Sequence, residues 1–358
     1  MGGFLLARSG RLLRTSGVRE RFADVDSATA ALRTGDVPLI VGAVPFDPSH
    51  RAALHAPKSA DFTPAELPET QLPAVGLVAE TPSPAEHVAR VQKLVELIGA
   101  GELRKVVAAR SVQLAADAPI DPAALVARLL HRHPSSNAFA VDITGAGSEH
   151  DGAHLVGSSP EVLVSRAGSA VSLRPLAGTA PRRSDPVADR AEADALLASA
   201  KNLEEHSYVI DWIREQLAPL CSELTIPDGP VLISTPEVWH LATPISGVLR
   251  DQATTALDLA AALHPTPAVC GTPTDLALAT INDVEGDRGF YGGAVGWCDR
   301  AGDGEWIVAI RCAEIAADGR SAIAYAGGGI VAASDPDTEL DETTTKLRTL
   351  LGALDVTI

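Results

Sequence analysis

A positively charged side chain interrupts an apolar strand pattern near the end of the chain. Between residues 306 and 315, the alternation of a strand places Arg311 on the same face as Ile307, Ala309 and Ala313. A guanidinium keeps its proton and is costly to bury without a partner. We therefore expect Arg311 to have a carboxylate partner. This partner is either a side chain of the protein, in an internal salt bridge, or a group of a ligand.

Lys105 poses the same question at the start of another apolar run. Arg104 and Lys105 point to opposite faces of one predicted strand, so one of them faces the interior. A desolvated lysine has a lowered pKa and can act as a general base. A lysine that faces solvent at the end of the strand is the alternative, and the pattern alone leaves both open.

Carboxylates on two predicted helices suit a divalent cation. Glu339, Glu342 and Lys346 are spaced i, i+3 and i+7, so they share one face of the C-terminal helix. Glu205 lies at the start of another predicted helix, and two carboxylates from separate helices would suit Mg²⁺, which prefers oxygen ligands and retains water. The spacing does not decide whether these helices meet. A solvated ion pair between Glu342 and Lys346 is the simpler alternative.

A glycine run near the C-terminus points to anion binding without matching a nucleotide motif. Gly327, Gly328 and Gly329 lie near the end of an apolar stretch, where backbone amides can approach an anion closely. The motifs GxGxxG, GxxxxGK(S/T) and GxSxG do not occur in the sequence. Dinucleotide-binding, P-loop and α/β-hydrolase folds therefore lose their main support.

The elements that must position these residues are predicted from hydrophobic periodicity. One helix is expected to begin at Ser83 and Pro84 and to end at Gly99, and others are expected over 121–133, 189–199, 204–220, 255–263, 274–285 and 338–351. Strands are expected over 105–114, 138–143, 162–165, 171–175, 231–233, 293–298, 306–315 and 322–331. Residues 1–80 are expected to form short strands joined by a long irregular loop over the proline-rich stretch 45–73. Because the strands come in consecutive groups, this order predicts an α+β fold with large, mainly antiparallel sheets.

The composition predicts a large globular protein that binds neither nucleic acid nor membranes. The 358 residues are 46% hydrophobic and 21% charged, which is enough for a large core and excludes a disordered chain. With 29 Lys and Arg against 46 Asp and Glu, the net charge of −17 repels phosphate backbones and anionic lipids. The 4 cysteines have no disulfide or zinc spacing and are expected to be reduced thiols in the cytoplasm.

Ten short motifs lie in order between residues 83 and 351, and together they resemble those of the chorismate-utilising enzymes, most closely the isochorismate synthases of siderophore and menaquinone biosynthesis. They are LRKVVAAR (103–110), GSSPE (157–161), RPLAGTAPR (174–182), EEH (204–206), HLATPISG (240–247), LHPTPAVCG (263–271), GGAVGW (292–297), GEWIVAIRCA (304–313), AGGGI (326–330) and SDP (334–336) followed by Glu342. Residues 1–80 match only weakly.

The resemblance implies one catalytic domain over 1–358, with two packed, mainly antiparallel sheets flanked by helices, a bound Mg²⁺ and a monomeric state. By motif position, Lys105 resembles the general base that activates water for attack on C2 of chorismate. Glu161 resembles the general acid that protonates the departing C4 hydroxyl. Glu205 and Glu342 resemble the Mg²⁺ ligands, and Glu339 a further, water-mediated one.

The same resemblance implies a set of residues that bind the substrate. Those that match binders of a substrate carboxylate, or that line the site beside it, are Arg311, Lys346, Tyr291, Gly327, Gly328, Gly329, Gly178, Thr179 and Ala268. The substrate implied is chorismate, a dianion. Such a ligand would explain both an inward-facing arginine and a glycine run.

Three positions favour isochorismate synthase within this family. Ala177 stands where aminodeoxychorismate synthases have a lysine that attacks C2, so covalent catalysis is disfavoured. Lys105 is present, whereas anthranilate synthases, which use ammonia, generally lack it. Ala268 matches isochorismate synthases, where relatives that eliminate pyruvate tend to have threonine. The alternatives are a salicylate synthase, which would also release pyruvate, and a non-catalytic chorismate-binding protein.

Overall fold

Eight α-helices and twenty β-strands are formed by the residues that this computed structural model describes, which are 3–65, 67–68 and 70–358. The helices are α1 (Val25–Thr34), α2 (Pro84–Gly99), α3 (Pro122–Arg132), α4 (Pro186–Ala198), α5 (Ala200–Leu217), α6 (Ala256–Leu263), α7 (Thr274–Val284) and α8 (Pro336–Ala353). The strands are β1 (Phe4–Arg8), β2 (Arg11–Phe22), β3 (Leu39–Val44), β4 (Ala53–Pro64), β5 (Val75–Thr81), β6 (Lys105–Ala116), β7 (Asn137–Asp142), β8 (His154–Ser159), β9 (Val162–Ala167), β10 (Ala170–Arg174), β11 (Leu176–Pro181), β12 (Cys221–Thr225), β13 (Val231–Ser234), β14 (Val238–Ala242), β15 (Ile245–Leu249), β16 (Gly271–Thr272), β17 (Ala294–Asp299), β18 (Gly304–Val308), β19 (Cys312–Ile315) and β20 (Ser321–Ile330).

Two layers of sheet pack face to face, and helices cover their outer faces. Successive residues of a strand point to opposite faces. In β3, Val41 packs in an inner cluster of strand and loop residues, while Ile40 packs in an outer cluster with α1, α2, α5 and α6. In β7, Phe139 joins the same inner cluster, while Ala138 packs in a second outer cluster with α3 and α8. The alternation thus builds four layers, in the order helices, sheet, sheet and helices, with an apolar cluster between each neighbouring pair.

All strand pairs among the described residues are antiparallel, and β6 is central to them. It pairs with β20 along ten residues, with β5 on its other side and with β16 at its first two residues. A small separate sheet is formed by β11, β14 and β13. The predicted class, α+β with packed, mainly antiparallel sheets flanked by helices, is confirmed.

The predicted helices are all present, and their ends are set by capping residues. Ser83 and Glu86 form a capping box at the start of α2, in which each side chain bonds to the other residue's backbone N–H. Asp335 caps α8 by accepting a hydrogen bond from the Thr338 N–H, and Pro336 occupies the first turn. Helix α1 was not predicted. None of the helices in the described ranges is long and apolar enough to cross a membrane.

The continuous strand predicted over 306–315 is wrong, because the chain leaves the sheet between β18 and β19. The Ala309 N–H donates a hydrogen bond at 2.8 Å to the carbonyl of Gly293, which lies in the turn before β17. Arg311 has a φ of 53°, in the left-handed region that a non-glycine residue seldom adopts. This conformation, rather than a regular alternation of faces, directs the Arg311 side chain inward.

The loop predicted over 45–73 is also partly wrong, because it contains β4. Pro57 of β4 pairs with β2 next to a register shift, and Pro64 pairs with it at the end of the ladder. Both are positions where a strand tolerates proline. The first 80 residues also contribute to the main sheet, since β1 pairs with β7 and β3 pairs with β17.

Candidate active site

One small cavity is lined by most of the predicted site residues. It measures about 50 Å³ and lies where β6, β11 and β20 meet α5 and α8. A larger cavity of about 740 Å³ beside α4 and α8 shares only Thr179 with it. The small cavity is lined by Val107, Glu161, Leu176, Ala177, Gly178, Thr179, Glu205, His240, Ala268, Val269, Tyr291, Ile310, Arg311, Gly327, Gly329 and Lys346.

Lys105 is fully buried beside the cavity and faces Glu205 of α5. Its Nζ lies 3.0 Å from Glu205 Oε1. Gly329 makes the contact possible, because a Cβ there would overlap Glu205 Oε1 and lie 3.0 Å from Lys105 Cε. The surface-lysine alternative is therefore wrong, and the buried residue of the pair 104–105 is Lys105.

Glu161 follows β8, and its buried carboxyl group has a pKa close to neutral pH. Burial raises its pKa to about 7, although the Leu176 N–H and the charges of Lys105, Arg311 and Lys346 oppose this rise. Leu176 donates its N–H to Glu161 Oε1 at 3.3 Å. At neutral pH a substantial fraction of Glu161 thus carries a proton that it can donate.

Three glutamates beside the cavity each meet a lysine, and we name these pairs the lysine–carboxylate cluster. In addition to Lys105 and Glu205, Lys201 Nζ lies 2.5 Å from Glu339 Oε1, and Lys346 Nζ lies 2.5 Å from Glu342 Oε1. Burial raises the pKa of Glu205, but the charge of Lys105 and those of the other two lysines outweigh it, so its pKa is lowered.

The carboxylates of the cluster fit Mg²⁺ in chemistry but are not assembled as a metal site. Burial and the charge of Glu342 raise the pKa of Glu339 to about 7, and its Oε2 is buried without a hydrogen-bond partner among the described residues. A Cβ on Gly328 would lie 3.1 Å from Glu339 Oε2 and 3.4 Å from Glu342 Oε1, so both carboxylates converge on this glycine. Within the described ranges, however, no group of three or more His, Cys, Asp or Glu side chains is close enough to hold a metal. The ammonium groups of lysines contact the carboxylate oxygens instead.

The glycines of β20 provide space for these side chains, and two of them line the cavity. Lys346 Nζ donates to the Gly327 carbonyl at 2.9 Å. The N–H and C=O of a residue in an antiparallel strand point to the same side. The amides of Gly327 and of Gly329, two residues on, therefore face α8, and both residues line the cavity.

Arg311 is a buried cation without a carboxylate partner. It is 6% exposed, and it makes no ion pair with any described residue. Its Nη2 instead lies 3.2 Å from His240 Nε2. Burial lowers the pKa of the guanidinium, although Tyr291 and three glutamates oppose this. The internal salt bridge that the sequence left open is not formed.

His240 and its neighbour Thr179 are site residues whose contacts the sequence did not predict. His240 lies in β14 and pairs with Thr179 of β11, and its Nδ1 is 3.1 Å from Thr179 Oγ1 and 3.4 Å from the Gly178 carbonyl. Burial and the charges of Arg311 and Lys346 hold the pKa of His240 well below 6.5. We name Arg311, His240 and Thr179 the donor wall. The only signal in the sequence was the HLATPISG motif, which does not reveal a contact with residue 311.

The remaining predicted residues complete the cavity. Gly178 has a φ of 82°, which favours glycine, and lies at a register shift between Leu176 and Thr179 that turns the chain toward the cavity. Tyr291 stacks on Tyr325 with ring centroids 5.2 Å apart, and burial raises its pKa. Ala268 donates its N–H to Thr266 Oγ1 at 3.2 Å.

The chain is similar to proteins of known name over almost its whole length. A family model described as chorismate binding enzyme matches residues 33–355. A Mycobacterium tuberculosis protein with the provisional name isochorismate synthase MenF is 52% identical over 358 residues, which cover 99% of this chain and 96% of that protein. Isochorismate synthase DhbC of Bacillus subtilis is 43% identical over 376 residues, with 99% and 94% covered. A crystal structure of a Bacillus anthracis protein, provisionally named a 2,3-dihydroxybenzoate-specific isochorismate synthase, matches with a TM-score of 0.91, 36% identity and coverage of 99% and 96%.

Proposed function

The chain belongs to the family of chorismate-binding enzymes, and we propose that it is an isochorismate synthase, an isomerase that converts chorismate into isochorismate. This bears out the resemblance seen in the sequence. The observation that carries the proposal is that one cavity is lined by Glu161, whose pKa is raised to about 7, by Arg311, which has no carboxylate partner among the described residues, and by Glu205, which contacts the buried Lys105. A base, an acid and a site for an anion are thus combined.

The reaction replaces one hydroxyl of the ring by another, and two residues move the protons. Lys105 takes a proton from water as the water oxygen forms a bond to C2 and the ring double bonds shift. Glu161 gives its proton to the C4 hydroxyl as the C4–O bond breaks, and water leaves. The product has the same atoms as the substrate, so no oxidant or reductant is required. The raised pKa of Glu161 supports its assignment as the acid, because the protonated form is then available at neutral pH.

We propose that Glu205 and Glu342 hold Mg²⁺, with Glu339 as a further, water-mediated ligand. When bound, the ion would neutralise the ring carboxylate of the substrate. The unsatisfied Oε2 of Glu339 supports the proposal, as does the convergence of Glu339 and Glu342 on Gly328. Lys105, Lys201 and Lys346 would then have to share or release the carboxylate oxygens that they contact.

The substrate carboxylates are proposed to lie against the donor wall and the amides of β20. Arg311 and Lys346 supply charge, and Gly327 and Gly329, which line the cavity, supply N–H groups. Tyr291, Gly178 and Ala268 shape the rest of the wall.

We further propose a single catalytic domain, a monomer and a cytoplasmic location. One sheet system that includes β1 and β20 supports the first, and four buried free thiols support the last.

Product analysis tests this function against the alternatives. Purified protein is incubated with chorismate and Mg²⁺, and isochorismate, salicylate and pyruvate are measured by chromatography. We expect isochorismate without pyruvate. Stoichiometric pyruvate and salicylate would make the protein a salicylate synthase, and unchanged chorismate with measurable binding would make it a non-catalytic chorismate-binding protein.

A further inference from the structure

His240 connects the two hydrogen-bond donors of the donor wall. Its Nε2 lies 3.2 Å from Arg311 Nη2, and its Nδ1 lies 3.1 Å from Thr179 Oγ1. All three residues line the cavity, and His240 itself is 4% exposed. The imidazole is therefore fixed on both of its nitrogens within the wall that we propose to face a substrate carboxylate.

The hydrogen-bond partners of the His240 ring determine which of its two nitrogens carries the proton. A guanidinium has only donors, so Arg311 must donate to Nε2, which cannot then carry a hydrogen. A neutral imidazole has one N–H, which is consequently on Nδ1. The Gly178 carbonyl, which can only accept, lies 3.4 Å from Nδ1 and agrees with this assignment.

The surroundings keep the ring neutral. The charged groups that act on it, Arg311 and Lys346, are both cations, and both disfavour an imidazolium, as does burial. A glutamate or aspartate in place of His240 would neutralise Arg311 and compete with an anionic ligand. A neutral acceptor orients the guanidinium and leaves its charge available.

The direction of these bonds also sets the role of Thr179. Its Oγ1 accepts from His240 Nδ1–H, so its own hydrogen is left for another acceptor. We infer that His240 is a positioning residue, which by its Nδ1–H tautomer directs both the Arg311 guanidinium and the Thr179 hydroxyl toward one carboxylate of the substrate. This inference rests on the proposed function, because chorismate supplies that carboxylate.

Two substitutions separate the two contacts. In His240→Asn the amide lies near the position of Nδ1, so it can still donate to Thr179 but no longer reaches Arg311. In His240→Gln the amide reaches the position of Nε2, so its oxygen can still accept from Arg311 but Thr179 loses its donor. We expect each variant to raise the KM for chorismate about tenfold, as the loss of one oriented hydrogen bond to a charged group does. We expect kcat to change less than threefold and the limbs of its pH profile to stay in place.

A double-mutant cycle with Thr179→Val tests the coupling. Adding Thr179→Val should raise KM about tenfold in the His240→Asn protein and less than twofold in the His240→Gln protein. Equal effects in both backgrounds would overturn the coupling between His240 and Thr179. A large fall in kcat with a shifted pH limb would instead make His240 a proton-transfer residue. Thermal melting identifies any variant that fails to fold.

The tautomer can be measured without substrate, which separates this inference from the proposed function. In the full chain with ¹⁵N-labelled histidine, NMR ring shifts should show Nδ1 protonated and Nε2 bare for His240 from pH 6 to 8, a pattern that His206, whose Nδ1 lies 3.2 Å from the Ala177 carbonyl, is expected to share. The His240→Gln protein assigns that signal by its disappearance, and His131→Gln, at an exposed position of α3, is the control. A signal with Nε2 protonated, or an imidazolium, would overturn the inference. If the unmodified protein failed to convert chorismate while the tautomer was observed, only the proposed function would fail.

Discussion

Cationic side chains have opposite kinds of partner on the two sides of the cavity. In the lysine–carboxylate cluster, three lysines meet three glutamates at 3.0, 2.5 and 2.5 Å. In the donor wall, Arg311 meets the neutral His240 and has no carboxylate partner among the described residues. The cluster pairs each lysine with a carboxylate within the protein. The donor wall retains a cation without a carboxylate partner among the described residues, which suits an anionic ligand.

The largest expected effect concerns Lys105 of the cluster and Glu161 beside it, the two residues that we propose to move protons. Lys105→Ala and Glu161→Gln should each lower kcat by about 10²–10⁴-fold, because each removes a partner in proton transfer. Chorismate binding, measured by calorimetry, should remain largely intact. Arg104→Ala is the matched control at the exposed neighbour of Lys105. If either main variant kept a kcat near that of the parent, the assignment of base and acid would be wrong.

The second effect tests whether the cluster can accept a metal. Glu205→Ala or Glu342→Ala should abolish Mg²⁺-dependent activity and weaken Mg²⁺ binding in calorimetry, because each removes an oxygen ligand. Glu204→Ala is the matched control, since Glu204 is exposed and accepts a hydrogen bond from Tyr208 at 2.8 Å. Unchanged Mg²⁺ affinity in both variants would remove the proposed metal site.

The third effect tests the donor wall. Arg311→Lys keeps the charge but cannot form a bidentate contact with a carboxylate, so we expect the KM for chorismate to rise about 10–100-fold. Arg348→Lys, at an exposed position of α8, is the control for the same change. A KM equal to that of the parent would mean that Arg311 serves the fold rather than the substrate, and the contrast between the two sides would lose its meaning.

The smallest effect concerns the choice of product. Ala268→Thr adds a hydroxyl to a part of the cavity wall that belongs to neither side, and a small shift of the bound ring is enough to lower the rate. We expect less isochorismate and a detectable release of pyruvate, measured by coupling to a pyruvate-consuming dehydrogenase. The parent should release none above background. A variant identical to the parent would show that position 268 does not control elimination.

Local spacing predicted the cluster better than the donor wall. The turn of a helix places Glu342 and Lys346 together, so their pairing and their shared face with Glu339 could be read from the sequence. Arg311 was predicted to face inward and does so, but through a left-handed φ of 53° rather than through strand alternation. A break in a strand that depends on bonds to a distant turn leaves no mark in hydrophobic periodicity.

Contacts between residues far apart in sequence could not be predicted at all. The contact between His240 and Arg311 joins side chains 71 residues apart, and it exists because β14 and the turn before β19 meet at one cavity. The contact between Lys201 and Glu339 spans 138 residues. The sequence could suggest Lys105 and Glu205 separately, but only the fold, with Gly329 leaving room, brings them together.

The most direct test of the account follows the oxygen atom that Lys105 is proposed to activate. Chorismate is converted in water enriched in ¹⁸O, and the isochorismate is analysed by mass spectrometry with fragmentation that locates the label. The account predicts one ¹⁸O atom per product molecule, in the hydroxyl on C2, because a water beside Lys105 attacks and Glu161 expels the C4 hydroxyl. Isochorismate without label would mean that the original hydroxyl is transferred within the substrate, and the assignments of base and acid would be contradicted.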